Sequence, residues 1–199
     1  MPDAISLDKS YWTERYEHNQ TGWDIGDVST PIKEFIDQID NKNLKILIPG
    51  AGNSYEAEYF HKLGFRNVWV ADISKIPLEH LRQRVPDFPK NQLLNLDFFV
   101  LEDKYDLIIE QTFFCALEPR LRKNYVTQMN DLLNNDGELV GLLFNASLND
   151  DKPPFGGNKE DYIELFEEHF EIKKMEEAYN SIPPRKGNEL FFRLSKLPD

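Results

Sequence analysis

The stretch from Leu44 to Asp72 constrains the fold more than any other part of the chain. Leu44-Lys45-Ile46-Leu47-Ile48-Pro49 is an apolar run that reads as a buried strand and ends on Gly50-Ala51-Gly52. Asn53 follows as a candidate helix cap, with Glu56 three residues on as the partner in a capping-box start. Ala57, Tyr59, Phe60 and Leu63 supply the apolar positions of that helix, which stops at Gly64. Val68-Trp69-Val70-Ala71 is a second strand and ends on Asp72. Strand, helix and strand in succession imply parallel strands with a helix packed on the sheet.

The same rhythm runs on. Pro77 to Arg84 reads as a helix, with Leu78 and Leu81 on one side. Leu93 to Leu96 is a weak strand leading to Asp97, and Tyr105 to Glu110 is a strong one. Pro119 opens a helix whose apolar positions are Leu121, Tyr125, Val126, Met129, Leu132 and Leu133. Asp136-Gly137 is expected to break it before a strand over Leu139 to Phe144. A helix over Lys159 to His169 precedes two strands, Phe170 to Lys174 and Glu189 to Leu194, with no long helix between them. They predict an antiparallel hairpin at the sheet edge. The fold class is therefore α/β and Rossmann-like: a mainly parallel seven-stranded sheet with helices on both faces. One domain over residues 1–199 is expected, with residues 1–40 as an aromatic helix-and-loop lid.

Composition narrows the setting. With 199 residues, 40% hydrophobic and 13% aromatic, the chain can fill one core. No apolar run is long enough to cross a bilayer, and Met1 to Lys9 lacks a signal-peptide pattern, so no membrane partner is expected. A single cysteine, Cys115, fits a reducing compartment, and a cytoplasmic location is expected. The net charge of −12 disfavours nucleic acid as a partner. His18, His61, His80 and His169 are scattered, so no metal site is expected. A monomer acting on a small molecule is the expected state.

Ligands of open α/β sheets bind at the carboxyl ends of the strands. Gly50 and Gly52, Asp72, Asp97 and Glu110-Gln111 all fall at such ends. The glycine turn lets backbone approach a ligand, and an acidic residue about 20 positions on can accept from ribose hydroxyls. Asp97 and Phe98 would then flank an adenine ring. A dinucleotide site needs a third glycine, where a helix N-terminus meets the pyrophosphate. Tyr55 stands there instead. A nucleoside-type cofactor is favoured over NAD.

Several segments resemble a known family. Ile48-Pro49-Gly50-Ala51-Gly52 and Val70-Ala71-Asp72-Ile73-Ser74 are similar to two loops of the thiopurine and halide/thiol methyltransferases. Phe113-Phe114-Cys115-Ala116-Leu117-Glu118-Pro119-Arg120-Leu121-Arg122 resembles their F-F-C-A-I-E-P-x-x-R run. Leu132 to Leu139, Pro153-Pro154-Phe155 and Pro184-Arg185-Lys186-Gly187 match further segments. Trp12, Tyr16 and Thr21-Gly22-Trp23-Asp24 keep the aromatic spacing of that family's N-terminal lid. The resemblance spans Trp12 to Arg193 and leans to the halide/thiol branch. Departures include Tyr16 for a frequent Trp, Ala51 for Cys, and Asp150-Asp151-Lys152 in place of glycines.

The resemblance implies a class I S-adenosylmethionine-dependent methyltransferase. Its cofactor contacts would come from Trp12, Tyr16, Trp23, Gly50, Gly52, Asp72, Ile73, Asp97, Phe98 and Gln111. Substrate contacts would come from Trp23, Phe114, Phe155 and Arg185, with Trp23 and Phe114 as aromatic walls and Arg185 attracting an anionic acceptor. Expected acceptors are small nucleophiles: thiol, sulfide, thiocyanate or halide. Bulkier aromatic thiols, or a non-catalytic adenosylmethionine-binding module, are the alternatives. No general base is named, because a thiol supplies its own thiolate fraction near neutral pH. Cys115 reads as buried and inert. Arg120 and Arg122 read as a solvated helix start. Glu110 either bonds nearby backbone or only ends a strand. The lid is expected to close on the cofactor.

Overall fold

The computed structural model describes residues 6–198, so the first five residues of the expected lid and Asp199 lie outside the described residues. Seven strands form one sheet in the order β3-β2-β1-β4-β5-β7-β6. They are β1 (Ile46–Pro49), β2 (Val68–Asp72), β3 (Leu93–Asn95), β4 (Tyr105–Gln111), β5 (Leu133–Phe144), β6 (Phe170–Glu177) and β7 (Glu189–Lys196). The first five run parallel to one another, and β7 runs against both β5 and β6. The expected mainly parallel sheet with a C-terminal antiparallel hairpin is the observed one.

Among the described residues six α-helices accompany the sheet: α1 (Lys9–Glu17), α2 (Thr30–Ile36), α3 (Tyr55–Lys62), α4 (Lys75–Arg84), α5 (Arg122–Leu132) and α6 (Lys159–Phe166). Alternation along the strands divides the core in two, because successive side chains point to opposite faces. Leu47, Ile108 and Leu139 join Tyr125, Met129, Tyr162 and Phe166 under α5 and α6. Ile46, Ile48, Leu107, Ile109, Val140 and Leu142 join Ile32, Ile36, Phe60, Leu78 and Leu81 under α2, α3 and α4. Both faces of the central strands are buried, which is why these strands read as continuous apolar runs.

Three local expectations change. Asn53 does not cap α3: Ser54 occupies the cap in the left-handed region and makes no side-chain cap bond. The Asn53 side chain instead bonds Asp24 and His80, and Glu56 bonds Ser29 N at 3.1 Å. The helix expected from Pro119 begins as a 3-10 turn, Pro119–Leu121, and α5 ends at Leu132. Asp136-Gly137 does not end that helix but sits inside β5. Tyr105 pairs Leu133 and Leu107 pairs Glu138, so the extra residues bulge out of the ladder there. Asn134 anchors the bulge by donating to Asp106 Oδ1 at 2.7 Å.

Candidate active site

The carboxyl ends of β1, β2 and β4 open onto one cavity of about 590 Å³, roofed by α1 and the segment that follows it. Gly50 and Gly52 both hold φ of +53°, a region that costs other residues a steric penalty. A Cβ on Gly50 would lie 2.0 Å from the Phe113 ring, and one on Gly52 would lie 3.1 Å from Tyr16 Oη. The glycine loop is thus pressed between an aromatic ring after β4 and the lid.

Asp72 organises the neighbouring turns. Its Oδ2 accepts from Gly52 N at 2.9 Å and its Oδ1 from Ser74 N at 2.8 Å. Burial pushes its carboxyl up to about 6 even against those two donors. Each oxygen keeps a second lone pair, and the residue lines the cavity. Asp97 caps a 3-10 turn by accepting from Phe99 N at 3.0 Å and lines the cavity beside Phe98 and Ile73.

The end of β4 carries the strain of the site. Thr112, β-branched, has φ of +59°, an uncommon conformation of the kind that clusters at binding sites. Fully buried Glu110 holds the turn: its Oε1 accepts from Phe113 N and Phe114 N, both at 2.7 Å. Burial raises its carboxyl to about 7, with Glu189 adding a like-charge push. Of the two readings of Glu110, the backbone-bonding one is observed. Gln111 lines the cavity, and its Oε1 is buried with no hydrogen-bond partner among the described residues.

The lid is an aromatic cluster. Asp8 starts α1 by accepting from Ser10 N and Tyr11 N. Trp23 meets Trp12 and Tyr16 edge-on, with ring centroids 5.5 and 5.8 Å apart. Thr13 Oγ1 donates to Ser74 Oγ at 3.1 Å and ties α1 to the end of β2. Burial and the Asp72 charge push the Tyr16 hydroxyl well above its ordinary value.

Trp12, Tyr16, Trp23, Gly50, Gly52, Asp72, Ile73, Asp97, Phe98, Gln111 and Arg185 all line this one cavity. Phe114 and Phe155 do not. Phe114 is a core residue, packed on Tyr125, Tyr162 and Phe166, and Phe113 takes the wall instead. Phe155 is buried, with its N–H donating to Cys115 O at 2.7 Å, and Pro153 and Pro154 reach the cavity in its place. Arg122 is not on a solvated face: its guanidinium lies 4.7 Å over the Phe114 ring and donates to Gly156 O at 2.7 Å. Arg120 is exposed and pairs with Glu118. Sequence reasoning also passed over Glu56, Asp24, Thr112 and Leu117, which line the same cavity. Asp24 and Leu117 lay inside family-like segments and Glu56 stood as an acid on the first turn of a helix, whereas Thr112 left no signal.

Cys115 reaches the cavity, yet burial drives its thiol proton affinity far up, and its Sγ donates to Thr112 O. No cluster of His, Cys, Asp or Glu among the described residues could hold a metal ion. Acidic lining residues (Asp24, Asp27, Glu56, Asp72, Asp97, Glu118) outnumber basic ones (Arg15, Lys152, Arg185), which suits a ligand of positive charge. The glycine cradle, the buried acid ending β2 and the unshared Gln111 oxygen fit a nucleoside that carries an amino-acid tail.

This sheet order, with β7 reversed and a glycine loop after β1, defines a class I S-adenosylmethionine-dependent methyltransferase fold. A Burkholderia thailandensis 1,6-didemethyltoxoflavin-N1-methyltransferase, solved with S-adenosylhomocysteine, superposes with a TM-score of 0.77 over 96% of this chain and 87% of that one, at 17% identity. The sequence from residue 7 to 195 matches the thiopurine S-methyltransferase (TPMT) family, and the chain belongs to that family. "Probable thiol methyltransferase 2" of Arabidopsis thaliana is 31% identical over 191 residues, covering 93% of this chain and 84% of the relative. "Thiocyanate methyltransferase 1" of the same plant is 29% identical, covering 96% and 87%.

Proposed function

We propose that this methyltransferase acts on a small sulfur nucleophile, an organic thiol or hydrosulfide, with thiocyanate and halide ions as further acceptors at the same site. The observation that carries the reading is the cavity wall. Trp12, Trp23, Leu117, Phe144, Pro153 and Pro154 form an apolar lining that shares the cavity with the glycine loop, and no histidine is among the lining residues. Such a wall suits acceptors that are nucleophilic without a strong base, as thiols with a pKa of about 8.5 are near neutral pH. The thiol and thiocyanate methyltransferases among its relatives support the same class.

When bound, S-adenosylmethionine supplies an electrophilic methyl carbon, and a new bond from the acceptor sulfur forms as the methyl–sulfonium bond breaks. The chain's part is to bind, orient and exclude water. Gly50 and Gly52 would let backbone close on the cofactor, Asp72 would accept from its ribose hydroxyls, and Asp97 and Phe98 would hold its base. Gln111 Oε1 offers an acceptor to the amino-acid end. Trp23 and Phe113 are the ring walls, and a ring face favours a cation by about 0.5–2 kcal/mol. Holding the acceptor behind the methyl carbon is the main contribution to rate. Closure of α1 and the segment through Asp27, the part of the expected 1–40 lid that lines the cavity, over a single-domain scaffold completes the site, while α2 stays in the core. We further propose a cytoplasmic monomer without a nucleic-acid partner, on the acidic balance and the single buried cysteine.

The test is product analysis with adenosylmethionine and a panel of an alkyl thiol, hydrosulfide, thiocyanate, iodide and an aromatic thiol. Methylated small acceptors are expected. Turnover confined to the aromatic thiol favours the alternative reading that the ring-lined cavity also accommodates. If S-adenosylhomocysteine binds but no acceptor is methylated, the acceptor assignment fails and a non-catalytic binding module stands.

A further inference from the structure

The lid's central ring is held from the far end of the chain. Arg185 closes the 3-10 turn Pro183–Arg185, and its Nη2 donates to the Trp23 carbonyl at 2.6 Å. Its Nη1 donates to Glu189 Oε1, the first residue of β7, at 3.3 Å. The two side chains are only 11% and 3% exposed. Glu56, buried on the first turn of α3, lies close enough to interact with the same guanidinium and accepts from Ser29 N just ahead of α2. A guanidinium so engaged presents little net charge to the cavity, while its planar fork fixes both acceptors in direction.

We propose that Arg185 and Glu189 are a positioning pair that sets Trp23 as a wall of the acceptor site, and that Arg185 does not itself recruit an anionic acceptor. The inference rests on the proposed acceptor site but concerns what places it. Three consequences separate the pair from an anion site. Loss of the fork moves the lid, so every acceptor suffers alike. A lysine supplies the charge without the two-pronged geometry, so it does not rescue. Neutralising Glu189 while keeping its hydrogen-bonding oxygen removes the guanidinium's directly bonded counter-charge and leaves only Glu56 nearby, so anions gain.

The variants Arg185→Met, Arg185→Lys and Glu189→Gln are compared with wild type by acrylamide quenching of tryptophan and by kcat/KM for a neutral alkyl thiol and for thiocyanate. Arg185→Met and Arg185→Lys are expected to lose kcat/KM on the order of tenfold for both acceptors, with more accessible tryptophan. Glu189→Gln is expected to shift the thiocyanate-to-thiol ratio several-fold toward thiocyanate. Selective loss of thiocyanate turnover in Arg185→Met, rescued by Arg185→Lys with unchanged quenching, overturns the proposal. Should Arg185→Met fail to fold, the other two variants still decide. If wild type methylates neither acceptor, the acceptor reading fails by itself. The quenching comparison then still tests the pair, and quenching unchanged in both arginine variants overturns it.

Discussion

Asp72 is the residue whose removal separates binding from stability most sharply. Replacing it with alanine strips partners from Gly52 N and Ser74 N, each a buried donor worth about 1–3 kcal/mol when orphaned. It also removes a carboxylate that the fold ionises reluctantly. The displacement from 3.8 to about 6 corresponds to about 3 kcal/mol of penalty at neutral pH. The folded protein binds this proton more tightly than the unfolded chain between those two values. Stability therefore falls as pH rises through that window, and the full penalty remains above it. Asp72→Ala trades about 2–6 kcal/mol lost for about 3 regained, so the net change stays within about 3 kcal/mol. Cofactor affinity has no such offset. Each hydrogen bond from a ribose hydroxyl to the carboxylate is worth about 1.5–3 kcal/mol, or roughly ten- to a hundredfold in Kd. Calorimetric titration with S-adenosylhomocysteine from pH 5 to 8, beside urea unfolding, measures both. Wild-type affinity should be flat above pH 7 and weaken by up to about tenfold per pH unit below 6, while the mutant binds weakly at every pH. A folded Asp72→Ala protein that binds as wild type does, or that keeps the pH dependence, refutes the reasoning.

Other consequences follow from neighbouring residues. Gly50→Ala forces a Cβ into the Phe113 ring at a φ of +53°, and should cost more than about 1–2 kcal/mol and abolish S-adenosylhomocysteine binding. Gly22→Ala, with no protein atom near the added carbon, should not carry that stability cost, and equal melting temperatures for the two variants would remove the close-approach account. Glu110 carries a proton affinity raised to about 7, so wild-type stability should drop as pH climbs from its ordinary 4.5 through 7. Glu110→Gln, which keeps an oxygen for Phe113 N and Phe114 N, should flatten that drop in melts at pH 5 and 8; a parallel drop in both proteins would place the pH effect elsewhere. Cys115 should resist a thiol-reactive dye in the native protein and react fully in denaturant, because burial opposes the thiolate. Native labelling at the denatured rate would contradict its burial.

Much of the framework is legible in one dimension because burial on both faces leaves a mark there. Ile46–Pro49 and residues 68–71 and 107–109 lie between two helix layers and are apolar on both faces, so their runs announce central parallel strands. The glycine loop and Asp72 are equally legible, since positive φ and a strand-ending acid are local properties of sequence. Local propensity alone was less reliable at Asn53 and at Asp136-Gly137. Asn53 could cap a helix, but Asp24 and His80 from distant segments claim its side chain. Asp136-Gly137 could break a helix, but pairing with β4 and β7 extends a strand around it.

The choice between adjacent phenylalanines shows where sequence stops. Phe113 and Phe114 are chemically identical, and nothing in their order says which faces the cavity. Glu110, by binding both their N–H groups, and Thr112, by turning at positive φ, rotate Phe113 over Gly50 and send Phe114 into the core. Arg185 is similar: its charge suggests an anion site, yet Glu189 and the Trp23 carbonyl each take a donor from its two terminal nitrogens. The sequence by itself determined the sheet, the nucleoside-type site and the family, because these rest on periodicity and on residues adjacent in the chain. The tertiary structure alone decided which side chains wall the cavity and how α1 and the Trp23 segment are held over it. Those depend on contacts between residues up to 162 positions apart, whose pairing no local pattern encodes.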